Sequence, residues 1–198
     1  MKKVVILLIM LLIIPLEVKA LYVNGERIDW NKRLTTPTNK NFAYMIHDGC
    51  EYTVAVPAAA QKLMYPTNMT NPIVLWQTTN YEQSKMDFFQ EYEEYSSYIA
   101  YAISFRKNDS GVYYAMDPTE KDLYDWVYGE IYLNDYYLNS MTADKRSTTI
   151  LHEMLHVFGL KDLYNEANKG SIMYGYGYSR TTTVLTSDAN QVLNNKYN

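Results

Sequence analysis

Two histidines stand four residues apart around a glutamate in the segment His152-Glu153-Met154-Leu155-His156. On a helix, side chains at i and i+4 leave neighbouring turns on one face, with β-carbons about 5 to 6 Å apart. Two imidazoles so placed can reach one zinc ion at about 2.0 to 2.1 Å. Glu153, rotated between them, can take a proton from water that zinc has acidified toward a pKa of about 7 and pass it to a leaving amine. The chain has only three histidines. At this composition the pattern arises by chance in roughly one chain in several hundred, so a pair of ordinary surface histidines on an amphipathic helix is the weaker reading.

A catalytic zinc takes three protein ligands and keeps one position open. Asp162, six residues beyond His156, offers the third. Gly159 supplies the left-handed backbone that lets the helix end and the chain turn back toward the metal. A carboxylate in place of an imidazole makes the site less positive and its water less acidic. Glu166 and His47 are the rival ligands. Glu166 would have to arrive from a second helix, for which the ten residues after His156 leave no room. His47 lies far upstream beside Asp48-Gly49 and reads as a surface residue.

These side chains need a helix and a sheet to hold them. Ser140 or Thr142 can cap the helix, Leu151, Met154, Leu155 and Phe158 recur at the spacing of one apolar stripe, and Gly159 closes it. Residues 42–47, 73–76, 98–105, 112–116 and 130–133 read as five strands, and Pro57 can open a short helix over 58–64. The acidic stretch 81–97 reads as helical or irregular. Residues 21–41 are polar with a breaker at Thr35-Thr36-Pro37, as in a leader or short pro-segment. The order of elements implies α+β or α/β packing in one domain over 42–198.

Lys2 and Lys3, the apolar run 4–16 and Val18-Lys19-Ala20 have the three parts of an export signal over residues 1–20, cleaved after Ala20. A bilayer-crossing helix takes roughly 20 apolar residues, so no stable membrane insertion is expected after cleavage; an uncleaved anchor is the alternative. The net charge of −4 and the lack of a basic stripe exclude nucleic acid as an expected partner. Cys50 is the single cysteine and cannot form an internal disulfide. It reads as a small residue near a turn rather than a thiolate that caps the metal. The 21 tyrosines suit half-buried strands and loops, with sugar or peptide stacking as the alternative. A monomer is expected, and no oxygen-rich loop argues for structural calcium.

The run from His152 to Asp162 resembles the metzincin superfamily of metalloproteases, whose pattern ends in a third histidine and is followed by a methionine turn. Asp162 looks like the aspartate variant of snapalysin-type enzymes, and Ser171-Ile172-Met173-Tyr174 lies where the methionine turn belongs. Residues 102–105, 112–117 and 129–134 look like the strands before the zinc helix of matrixin-like domains. The resemblance implies a twisted mixed five-stranded sheet with an antiparallel edge strand, a long zinc-binding helix, and a C-terminal subdomain with the methionine turn and a final helix. It implies one catalytic zinc on His152, His156 and Asp162, Glu153 as general base, and Met173 beneath the site. It also implies an extended protein or peptide substrate along the edge strand 112–116. Tyr174 or Tyr176 is the candidate to stabilise an oxyanion. The expected activity is secreted, extracellular zinc-dependent peptide-bond hydrolysis; the alternative is a secreted zinc-binding adhesion module without turnover.

Overall fold

The computed structural model describes residues 20–35, 37 and 41–198. The expected export signal therefore lies outside the described residues apart from Ala20. Among the described residues no helix is long and apolar enough to cross a membrane. In chain order the elements are β1 (Tyr22–Val23), β2 (Glu26–Arg27), β3 (Asn41–Ile46), α1 (Ala55–Met64), β4 (Val74–Gln77), β5 (Ser84–Glu91), β6 (Ala100–Lys107), β7 (Tyr113–Ala115), β8 (Tyr128–Asn134), α2 (Asp135–Leu138), α3 (Ala143–Val157) and α4 (Ser187–Tyr197).

The fold is α+β, with a mixed sheet of six strands in the order β4-β3-β5-β8-β6-β7. This corrects the expected five. The missed strand is β5, inside the stretch read as helical or irregular, and it lies near the middle of the sheet. Its charged residues disguised it. Asp87 is buried, yet it meets His47 Nε2 at 2.7 Å and a short hydrogen bond from Ser84, so a residue that looks solvent-seeking is satisfied inside the sheet. The expected antiparallel edge strand is present as β7, which pairs with β6. Strands β3, β4, β5 and β8 run parallel, β6 runs against them, and β7 reverses again at the edge.

Residues 21–34 are ordered rather than irregular. β1 and β2 form a hairpin across Asn24-Gly25, both at positive φ as a two-residue turn of this hand requires. Beyond it Ile28 and Leu34 are completely buried, and Lys196 of α4 donates to the Trp30 carbonyl at 2.5 Å. The widely spaced apolar residues of this segment gave no local period, and their burial is set by distant partners. Ile28→Ala and Leu34→Ala are each expected to cost about 2 to 5 kcal/mol, read as a lower urea midpoint. A detachable leader would show no change.

One side of the sheet carries α3, which packs on β6, β8 and α1. Gly129 of β8 permits this approach, since a β-carbon there would stand 2.6 Å from Val157 Cγ1. Phe42, Phe158 and Tyr197 meet edge to face with centroids 5.1 to 5.7 Å apart, joining β3, the end of α3 and α4. Another row of rings, His47 just past β3 and then Phe89, Tyr132 and Tyr101 on β5, β8 and β6, stacks at 4.1 to 5.2 Å. Their faces are used on one another, which accounts for part of the tyrosine content without a sugar ligand.

Candidate metal centre

Helix α3 begins at Thr142, whose side chain accepts from the Lys145 amide, and carries His152 and His156 near its end. It stops in a Schellman arrangement: the Gly159 amide donates to the His156 carbonyl and the Leu160 amide to that of Leu155. Gly159 has φ of 101°, and an added β-carbon would come within 3.0 Å of the Lys32 carbonyl oxygen. The turn thus needs glycine for both its hand and its space.

Two backbone clamps then hold Asp162. On one side the N-terminal segment lies along residues 159–161, with the Trp30 amide donating to Gly159 and the Lys161 amide to Ile28. On the other, Leu163 bonds to Met173 and Gly175 in a parallel bridge. Met173 is fully buried, and the turn around it is tied to α4, with Ser171 donating to Asp188 at 2.5 Å and the Ile172 amide to Thr186.

The same turn orients the first histidine. His152 Nδ1 lies 2.8 Å from the Ile172 carbonyl, and His156 Nδ1 lies 3.0 Å from the Leu160 carbonyl. A carbonyl only accepts, so both Nδ1 atoms carry hydrogen, and in a neutral ring Nε2 keeps its lone pair. The two Nε2 atoms face each other at 3.1 Å, and Asp162 Oδ1 stands 3.1 Å from one and 3.5 Å from the other. That oxygen is buried without a hydrogen-bond partner, while Oδ2 accepts from Tyr164 at 3.3 Å. Gly175 leaves room for this pair, since a β-carbon there would meet Tyr164 at 2.6 Å and Asp162 at 3.1 Å.

Three lone-pair atoms pointing at one spot repel unless a metal ion or a shared proton joins them. Tetrahedral ligands at 2.0 to 2.1 Å from zinc stand about 3.3 Å apart, which the observed separations match. The donor set of two imidazoles and a carboxylate therefore fits zinc, and among the described residues it is the one group of three such side chains gathered closely enough to hold a metal.

Electrostatics agree with that demand for positive charge. Burial takes His152 down to about 4. Burial also works to lower His156, but the adjoining Asp162 carboxylate outweighs it and lifts the group to about 9. Burial would raise Asp162, yet the neighbouring His156 charge and the histidine contacts hold it well below the usual carboxylate range. Without metal the trio keeps one proton, which a divalent cation would displace. Glu153 is buried, and that burial lifts its carboxyl to about 7 against the pull of His156, Arg180 and Lys121.

Glu153 and the trio open into a cavity of about 850 Å³. Its walls include residues 97–102, Trp30, Lys121, Lys161, Tyr176 and Arg180. Tyr174 is buried outside this lining, so of the two candidate tyrosines Tyr176 alone faces the cavity. The edge strand needs correction as well. β7 pairs only with Phe105 to Lys107 and none of its residues lines the cavity. The edge that borders it is the start of β6. The Ile99 and Phe105 carbonyls point toward β8, so alternation turns the backbone groups of Ala100 and Ala102 outward.

The rivals lie elsewhere. His47 is engaged by Asp87, and Glu166 pairs with Lys169 at 3.0 Å. Cys50 is buried, outside the cavity lining, with its thiol pushed up by that burial. Sequence reading missed Arg180, Lys121, Trp30 and Tyr164. Arg180 donates twice to the Tyr174 carbonyl, at 2.9 and 3.1 Å, and sits beside Glu153 and Asp162. No family model and no curated protein matches the chain.

Proposed function

We propose that the chain is a secreted zinc endopeptidase of the metzincin kind, with His152, His156 and Asp162 as metal ligands. One observation carries this reading: His152 Nε2, His156 Nε2 and Asp162 Oδ1 meet at 3.1 to 3.5 Å, the spacing of ligands around one zinc ion. Zinc bound there would polarise a peptide carbonyl and acidify water. Glu153, next to His152 on the same helix and facing the same cavity, accepts the proton released from the attacking water and returns it to the amine that leaves. Arg180 is pinned by Tyr174 and steadies the negative charges of Glu153 and Asp162. Tyr176, which lines the cavity, would approach a substrate oxygen.

The substrate lies extended and adds to the free edge of β6 at Ala100 and Ala102, both of which line the cavity. Met173 supports the centre from below through the backbone of its turn, which anchors both His152 and Leu163. The export-signal pattern over residues 1–20 supports the extracellular location. Casein hydrolysis is expected to cease with a zinc chelator and return on addition of zinc but not of magnesium. Intact casein and an uncut peptide library, with zinc still bound, would replace the endopeptidase by a zinc-binding adhesion module.

A further inference from the structure

The cavity that holds the metal centre has three cationic side chains, Lys121, Lys161 and Arg180, and two carboxylates, Glu153 and Asp162. Both carboxylates are occupied at the centre itself. Among the described residues none of the three cations has a carboxylate oxygen within 4.0 Å, whereas Lys62, Lys169, Lys196 and Arg27 all do. Lys161 Nζ stands 4.3 Å from the centre of the Trp30 ring, and Lys121 Nζ stands 5.9 Å from the centres of both Trp30 and Trp126. The indole thus gathers two ammonium groups that would repel each other in the open. The chain as a whole is acidic, with a net charge of −4, so this positive cavity is a local exception. Partly buried positive charge with no carboxylate at ion-pair distance favours an anion brought by the ligand.

We propose that Lys121 and Lys161, gathered at Trp30, together with Arg180 form an anion-binding subsite that selects peptide segments with acidic side chains beside the bond to be cut. The substrate class rests on the endopeptidase reading; the preference for anions does not. Acidic side chains fit better than a free phosphate, because the cavity that the cations line also includes Ala100 and Ala102 at the free edge of β6, where an extended chain can pair.

The test uses fluorescein-labelled peptides of one backbone sequence, with glutamate, glutamine or lysine on both sides of the central bond. Their binding to the zinc-loaded protein is followed by anisotropy. The glutamate peptide is expected to bind about tenfold more tightly than the glutamine peptide at about 50 mM salt, and the difference is expected to shrink toward about 500 mM. Lys121→Gln with Lys161→Gln is expected to bring the two within about twofold, and arginine at both positions to restore the preference. Equal binding to the unaltered protein, or a preference that survives the glutamine pair, overturns the proposal. If the glutamine pair fails to fold by circular dichroism, the salt titration decides: a preference unmoved by salt overturns it. Casein cleavage is scored separately. Cleavage without an acidic preference removes the subsite and keeps the hydrolase, and an acidic preference without cleavage does the reverse.

Discussion

Replacing Glu153 by glutamine is expected to lower the turnover number on casein-derived peptides by about 10² to 10⁴-fold, the range for loss of a general base, while zinc content stays at that of the unaltered protein. The side chain is buried beside His152 and faces the cavity, but it is not one of the three converging donors. Glutamine keeps its shape and cannot take a proton. Because the role is confined to proton transfer, kcat should fall with little change in KM. Unfolding can be separated from chemistry here. A buried carboxylate without an ion pair is costly, so the neutral amide should leave the melting temperature equal or higher. A loss of less than about tenfold would remove Glu153 from the role of base. A loss accompanied by lower zinc content would assign it to metal retention instead.

The centre was legible because most of its geometry is local. His152 and His156 need only a helix, the stripe of Leu151, Met154, Leu155 and Phe158 declares one, and Gly159 marks its end. Asp162 could be named since the left-handed turn leaves the chain few directions in which to go. What surrounds the centre was less legible, because it comes from far along the chain. Trp30 reaches it through a segment that looks polar and irregular, and its place is set by pairing with residues 159–161. Arg180 follows a loop whose course depends on Tyr174, and nothing local distinguishes it from a surface arginine. β5 was hidden for a related reason. Asp87 breaks its apolar pattern, and the partner that satisfies it, His47, lies just past the end of β3. The edge strand was misplaced along the cavity since a strand's position in a sheet depends on register with its neighbours, which periodicity does not carry.

Asp162→Ala is expected to weaken zinc binding on the order of 10³-fold, beyond the 10 to 100-fold typical of losing an outer partner. Two imidazoles would remain, both still oriented by Ile172 and Leu160, but the third donor would be gone. Tyr164→Phe supplies the graded control. Among the described residues its hydroxyl hydrogen-bonds to Oδ2 of Asp162 alone, so its removal should cost about 10 to 100-fold in zinc affinity and leave the metal chemistry recognisable. Binding also registers in stability. Zinc at about 1,000 times its dissociation constant adds about 4 kcal/mol, which for a domain of this size raises the melting temperature on the order of 10 °C. That rise should vanish for Asp162→Ala at the same zinc concentration and shrink for Tyr164→Phe. The order of the three proteins matters more than any one value. If Asp162→Ala keeps the full zinc-induced shift, the carboxylate oxygen between the two rings is not a ligand, and the coordination on which the endopeptidase reading depends is wrong.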